Sequence, residues 1–163
     1  MNKNTNLDIV AKPGSLEIVM SRNFDATPEL LFRAYTEPKL FSQWWGAKGM
    51  TTTVAYLEAK AGGSYRYQQK ISGHGEFNVY GIYHSVTAHR IVKTFEADPM
   101  QGHVLFETVT FEPLEREITR VITQSIFQSV ADRDAMIASG AAEGTSQAYA
   151  MLDKLIQEIR MIR

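Results

Sequence analysis

Hydrophobic positions along this chain keep two different periods, and the change between them divides it into a β-rich body and a helical end. Leu16, Ile18 and Met20 alternate with Glu17 and Ser21, the two-residue period of a strand running to about Phe24. Thr27-Pro28-Glu29 is a helix start: a capping hydroxyl, a proline suited to the first turn and an acid favoured by the dipole. A short helix is expected over Leu30 to Tyr35. Thr36-Glu37-Pro38 repeats the signal for a second, carrying Leu40, Phe41 and Trp44 and ended by Gly46.

From Thr51 the two-residue period returns. Strands are expected over residues 51–58, 64–71, 77–87, 91–96, 104–112 and 118–127, separated by short Gly-, Asp- and Pro-containing turns. Gly81 inside the third of these suggests a bend or a close backbone approach. Such short connections imply an antiparallel meander.

Beyond Ser129 the spacing lengthens to three and four. Ile137, Ala141, Gly144, Ala148, Met151, Leu152, Leu155 and Ile159 form one helical stripe, with Asp153, Lys154, Gln157, Glu158 and Arg160 on the solvated side. Ser129 and Asp132 resemble a capping box at its start. Small residues crowd the centre: Gly140, Ala141, Ala142, Gly144 and Ala148. An internal helical glycine costs about 1 kcal/mol relative to alanine, so two of them need a reason. One reason is a break between two helices, the second capped by Thr145 or Ser146. The other is that this section roofs a space.

A sheet with one apolar face needs a cover, and the final helix has one apolar stripe. The expected fold class is therefore α+β: a strongly curved antiparallel sheet of about seven strands wrapped around a long C-terminal helix, with two short helices after the first strand. Residues 1–14 are polar and end in Pro13-Gly14, which reads as a flexible N-terminal tail ahead of a single domain over residues 15–163.

Composition narrows the chemistry. Seventeen basic and eighteen acidic residues leave a net charge of −1, too little field to gather nucleic acid or an anionic membrane. Absence of cysteine removes disulfides, thiol nucleophiles and thiolate metal sites. No apolar run reaches membrane-spanning length and the start does not read as a signal peptide, so a cytoplasmic setting is the expectation. His74, His84, His89 and His103 have no metal-ligand spacing and read as surface or turn residues. No cofactor motif is present.

Candidate site residues come from the faces of these elements. Trp44 and Trp45 point about 100° apart on a helix, so both cannot enter one pocket: either one plugs the core and the other packs under a loop, or one stands at a cavity mouth, and both are candidate site residues. If Val109 and Phe111 point inward, alternation gives Glu107 the same face as Leu105, where a carboxylate is costly unless paired; the alternatives are that a register slip or bulge turns it outward, or that Arg66, Arg120 or a tyrosine pairs it structurally. Thr123 follows on the next strand. Tyr67 and Tyr149 offer hydroxyls to the same space, and Met136, Gly140 and Gly144 its roof. Glu107 or a tyrosine acting as acid or base would make the chain an enzyme, an expectation secondary to binding. A third alternative is a protein-interaction module.

The ordered set Thr27-Pro28-Glu29-Leu30-Leu31-Phe32-Arg33-Ala34-Tyr35, Trp44-Trp45-Gly46, Gly62-Gly63-Ser64-Tyr65-Arg66-Tyr67 and Phe127-Gln128-Ser129 running into Arg133-Asp134-Ala135-Met136, Gly140 and Gly144 carries a resemblance. It resembles the bacterial single-domain relatives of the C-terminal domain of the activator of the heat-shock-protein-90 ATPase, in the START-like superfamily, related in fold to the birch pollen allergen. The resemblance covers about Ser15 to Ile159. It implies a helix-grip fold whose sheet and C-terminal helix can enclose a small apolar or amphipathic molecule. A polar N-terminal stretch in place of the eukaryotic activator's extra domain makes a chaperone partner the weaker implication. The superfamily spans carriers, enzymes and receptors, so fold alone assigns no activity.

Overall fold

A computed structural model of the chain describes residues 5–162. Its order is β1 (Asp8–Val10), β2 (Glu17–Phe24), α1 (Pro28–Thr36), α2 (Pro38–Trp44), β3 (Met50–Leu57), β4 (Ser64–Ile71), β5 (Gly75–Thr87), β6 (Arg90–Ala97), β7 (Leu105–Pro113), β8 (Thr119–Ile126), α3 (Val130–Ala138) and α4 (Ala141–Met161). The strands form one open antiparallel sheet of eight, ordered β1-β2-β8-β7-β6-β5-β4-β3. This is the expected α+β helix-grip arrangement with one strand more.

The extra strand lies in the stretch read as a tail. Residues 1–4 are outside the described part, but Asp8, Ile9 and Val10 pair with Ser21, Met20 and Val19. All three are exposed, so they carry no alternation that would betray a strand.

Local chemistry sets the helix ends. The Thr27 hydroxyl accepts from the Leu30 N–H at 3.2 Å, and the Ser129 hydroxyl accepts from the Asp132 N–H at 3.1 Å. The C-terminal helical region is broken, as one of the two readings of its glycines required. Gly140, at φ +83°, stands between α3 and α4 in the left-handed region that glycine tolerates. The second helix starts at Ala141 without a side-chain cap, so Thr145 and Ser146 lie inside it rather than capping it.

The break also corrects the stripe. Ile137, on α3, is exposed because the periodicity does not carry across Gly140. On α4 the buried side chains are Ala148, Tyr149, Leu152, Leu155 and Ile156, while Met151 is exposed: the stripe is centred one residue away from the expected line. Asp153 is likewise not a free surface acid. It pairs with buried Arg22, whose guanidinium also donates to the Thr5 carbonyl at 2.7 Å and lies 4.4 Å from the Phe24 ring centroid. This arrangement fastens α4 to β2.

Gly81 meets its expectation. A Cβ there would lie 2.1 Å from the Thr94 carbonyl oxygen and 2.8 Å from the Tyr65 ring. The absent side chain lets Tyr65 cross the sheet and donate its hydroxyl proton to Thr94 O at 2.7 Å. The core is then built from Phe24, Leu31, Phe111 and Val121 against Leu152 and Tyr149, with α1 and α2 closing one end.

Candidate functional site

Between the sheet and the α3–α4 region lies a pocket of about 370 Å³. Its floor comes from β4 to β8: Tyr67, Gln69, Val79, Lys93, Phe95, Leu105, Glu107, Val109, Thr123 and Ser125. Its roof is Met136, Ser139, Gly140, Ala141, Gly144, Thr145 and Ala148. Trp45, Gly46 and Ala47, from the α2–β3 connection, and Met50, at the start of β3, form one side. The roof is thin where the chain is small: a Cβ on Gly144 would meet only the Ala47 Cβ, at 3.7 Å.

The two tryptophans divide as their helical angle requires. Trp44 is buried, donates its indole N–H to the Ala34 carbonyl at 2.9 Å and packs on Tyr35 and Phe41. It does not line the pocket, which removes it from the expected site residues. Trp45 does line it. Its indole stacks on Phe41 at 5.9 Å and donates to the Tyr67 hydroxyl at 2.8 Å. Tyr67, Glu107, Thr123, Met136, Gly140, Gly144 and Tyr149 also line the pocket.

Glu107 faces inward with Leu105, Val109 and Phe111, but none of the partners expected from the sequence pairs with it. Lys93 does, directly opposite on β6. Its Nζ lies 3.6 Å from Glu107 Oε1, with the two side chains 12% and 18% exposed, so this is a largely buried ion pair on the pocket floor. The ammonium also sits 4.7 Å from the Tyr65 ring centroid, a cation–π contact. Lys93 was not legible as a site residue because its role depends on strand register. Its signal would have been the cross-strand pairing of the β6–β7 hairpin.

Around this pair stand hydroxyls that remain neutral. Burial, with Glu107's negative charge adding to it, raises the Tyr67 phenol well above its ordinary value. Burial likewise raises Tyr35 and Tyr65, aided by Tyr149 and Tyr67 respectively. Tyr149 is raised by burial too, partly offset by hydrogen bonding to Tyr35 and Thr123. The Tyr35 and Tyr149 hydroxyls are 3.3 Å apart, and either can donate. Such phenols supply hydrogen bonds but not phenolate bases near neutral pH.

A second, smaller pocket of about 200 Å³ adjoins the first, sharing Phe95, Ala97, Leu105, Phe127, Met136 and Ser139. At its rim His103 Nδ1 lies 2.9 Å from Asp132, linking the β6–β7 connection to α3. The four histidines are exposed, and no cluster of metal-ligating side chains occurs among the described residues. Among the described residues, no helix is long and apolar enough to cross a membrane.

The family model for Activator of Hsp90 ATPase homolog 1-like protein matches residues 25–157. Among solved structures, a protein from Rhodobacter sphaeroides is similar at 26% identity and TM-score 0.85, over 94% of this chain and 99% of that one. One from Staphylococcus epidermidis is similar at 25% identity and TM-score 0.80, over 92% and 93%. One from Mycobacterium smegmatis, at 18% identity and TM-score 0.82 over 92% and 96%, shares the fold. No curated protein matches the sequence.

Proposed function

The chain belongs to the Activator of Hsp90 ATPase homolog 1-like family, and from that premise and the pocket's geometry we propose that it is a cytoplasmic binding protein for a small apolar or amphipathic molecule. The observation that carries this reading is the space beneath the small residues Gly140, Gly144 and Ala148, in a pocket whose lining as a whole is largely apolar. A volume of about 370 Å³ falls at the lower end of the range of small-molecule sites, roughly 300–1,000 Å³. Affinity comes from burying apolar surface, at about 25 cal/mol per Å². Orientation comes from Lys93, Glu107, Thr123, Tyr67 and Tyr149.

Binding is favoured over catalysis by the state of the polar groups. The tyrosines are held neutral, and Glu107 is engaged with Lys93 rather than standing alone as a poised base. The test is extraction of the purified protein and mass spectrometry of what co-purifies, followed by titration of the recovered compound into protein emptied of it. Saturable change in Trp45 fluorescence that is lost in Gly144→Leu supports the reading. Binding unchanged by Gly144→Leu overturns the location.

A further inference from the structure

Glu107 and Lys93 are coupled by charge but not joined by a hydrogen bond. Their closest approach, 3.6 Å, exceeds the 2.7–2.9 Å or so of a charge-assisted hydrogen bond. Among the described residues no protein group donates to the carboxylate, and the ammonium donates to none; its other contact is the Tyr65 face. Two ionised groups on the floor of an apolar pocket therefore keep unused hydrogen-bonding capacity, one as acceptor and one as donor. Both groups are open to the pocket, and no buried side-chain nitrogen or oxygen lacks a partner among the described residues, so a guest that displaces solvent from them must replace the hydrogen bonds it removes.

Resting on the binding function proposed above, we infer that the polar end of the ligand is an uncharged hydroxyl, a phenol or an alcohol, that bridges the two: it donates its proton to Glu107 and accepts from Lys93 Nζ. The separation is short enough for one oxygen atom to reach both groups. A hydroxyl also matches their opposite demands with a single atom. A carboxylate drawn to Lys93 meets the charge of Glu107 close behind it, and an ammonium drawn to Glu107 meets Lys93. Each would also bring an unbalanced charge into an apolar space. Ser125, directly opposite Glu107 on β8 and also lining the pocket, offers a second hydroxyl contact to the same end.

The test uses four probes with one apolar body: 2-naphthol, naphthalene, 2-naphthoate and 2-naphthylmethylammonium, titrated into the full chain at neutral pH by equilibrium dialysis. The expected result is that naphthol binds about ten- to a hundredfold more tightly than naphthalene, with both ionised probes weaker than naphthol. The double variant Lys93→Met/Glu107→Met, in which no charge is left unpaired, should remove naphthol's advantage while still binding naphthalene. Glu107→Gln should turn the preference toward naphthoate by freeing Lys93. If all four bind alike, and all weaken in Gly144→Leu, the pocket stands and the hydroxyl inference falls. A preference for naphthoate or for the ammonium in the parent protein also overturns it. If none of the four binds, the pocket reading itself fails.

Discussion

Gly144 offers a test of the pocket that needs no ligand. It sits inside α4 in ordinary helical conformation, where glycine costs about 1 kcal/mol relative to alanine. A Cβ meets only Ala47 at ordinary contact distance, so Gly144→Ala should recover most of that amount. For a chain of this size, about 1 kcal/mol is a rise of roughly 2–4 °C in melting temperature. Gly144→Leu keeps the propensity gain and sends three more carbons into the pocket, worth about 2 kcal/mol of burial less roughly 0.5–1 kcal/mol of rotamer entropy. The leucine variant should thus be about 2 kcal/mol more stable than the parent, with a melting temperature higher by about 4–8 °C. Thermal unfolding followed by circular dichroism, with urea titration for the free energy, measures both variants. If the leucine variant is less stable than the alanine variant by more than about 1 kcal/mol, the side chain is being forced into occupied volume. The helix would then lie directly on the strands, and the binding proposal would lose its space.

Other expectations test the frame around the pocket. Gly81→Ala should destabilise by more than about 3 kcal/mol, since its Cβ falls 2.1 Å from backbone rather than from a movable side chain; a variant melting within a few degrees of the parent would contradict that contact. Asp153→Ala strands the buried Arg22 guanidinium and should cost about 3 kcal/mol by urea denaturation, whereas a loss under about 1 kcal/mol would make the pair an ordinary surface one. Alkaline titration follows from the buried phenols. Their folded pKa values lie above the ordinary 10.0, so the unfolded chain loses these protons first; stability is intact below pH 10.0 and falls as pH rises beyond it. Tyrosinate absorbance from the buried set should therefore appear together with loss of helical signal, and its appearance in a fully folded protein would show those hydroxyls to be solvated.

What could be read from the sequence was what depends on neighbours along the chain. Thr27 and Ser129 cap because a cap needs only the next few residues, and Glu107 faces inward because alternation is local. The same logic set Trp44 and Trp45 on diverging faces, but not which of the two is in the core. Three features escaped. Asp8–Val10 pairs through its backbone with its side chains exposed, so no pattern records it. Tyr149 and Ile156 displace Met151 from the buried stripe because the break at Gly140 fixes the roll of α4, and a roll of one residue leaves the period unchanged. Lys93 reads as a surface lysine in a short strand until the β6–β7 register sets it opposite Glu107.

On the proposed binding function, that last pairing would let the interior discriminate. An apolar pocket alone ranks guests by size, and a lone charge on its floor would rank them by charge. Here the two formal charges cancel at 3.6 Å, so a charged guest gains at one group what it loses at the other. The nearby phenols cannot restore an imbalance, because burial and Glu107 together keep their protons on. The remaining means of selection is directional hydrogen bonding between a fixed acceptor and a fixed donor, both set on strands rather than on a loop.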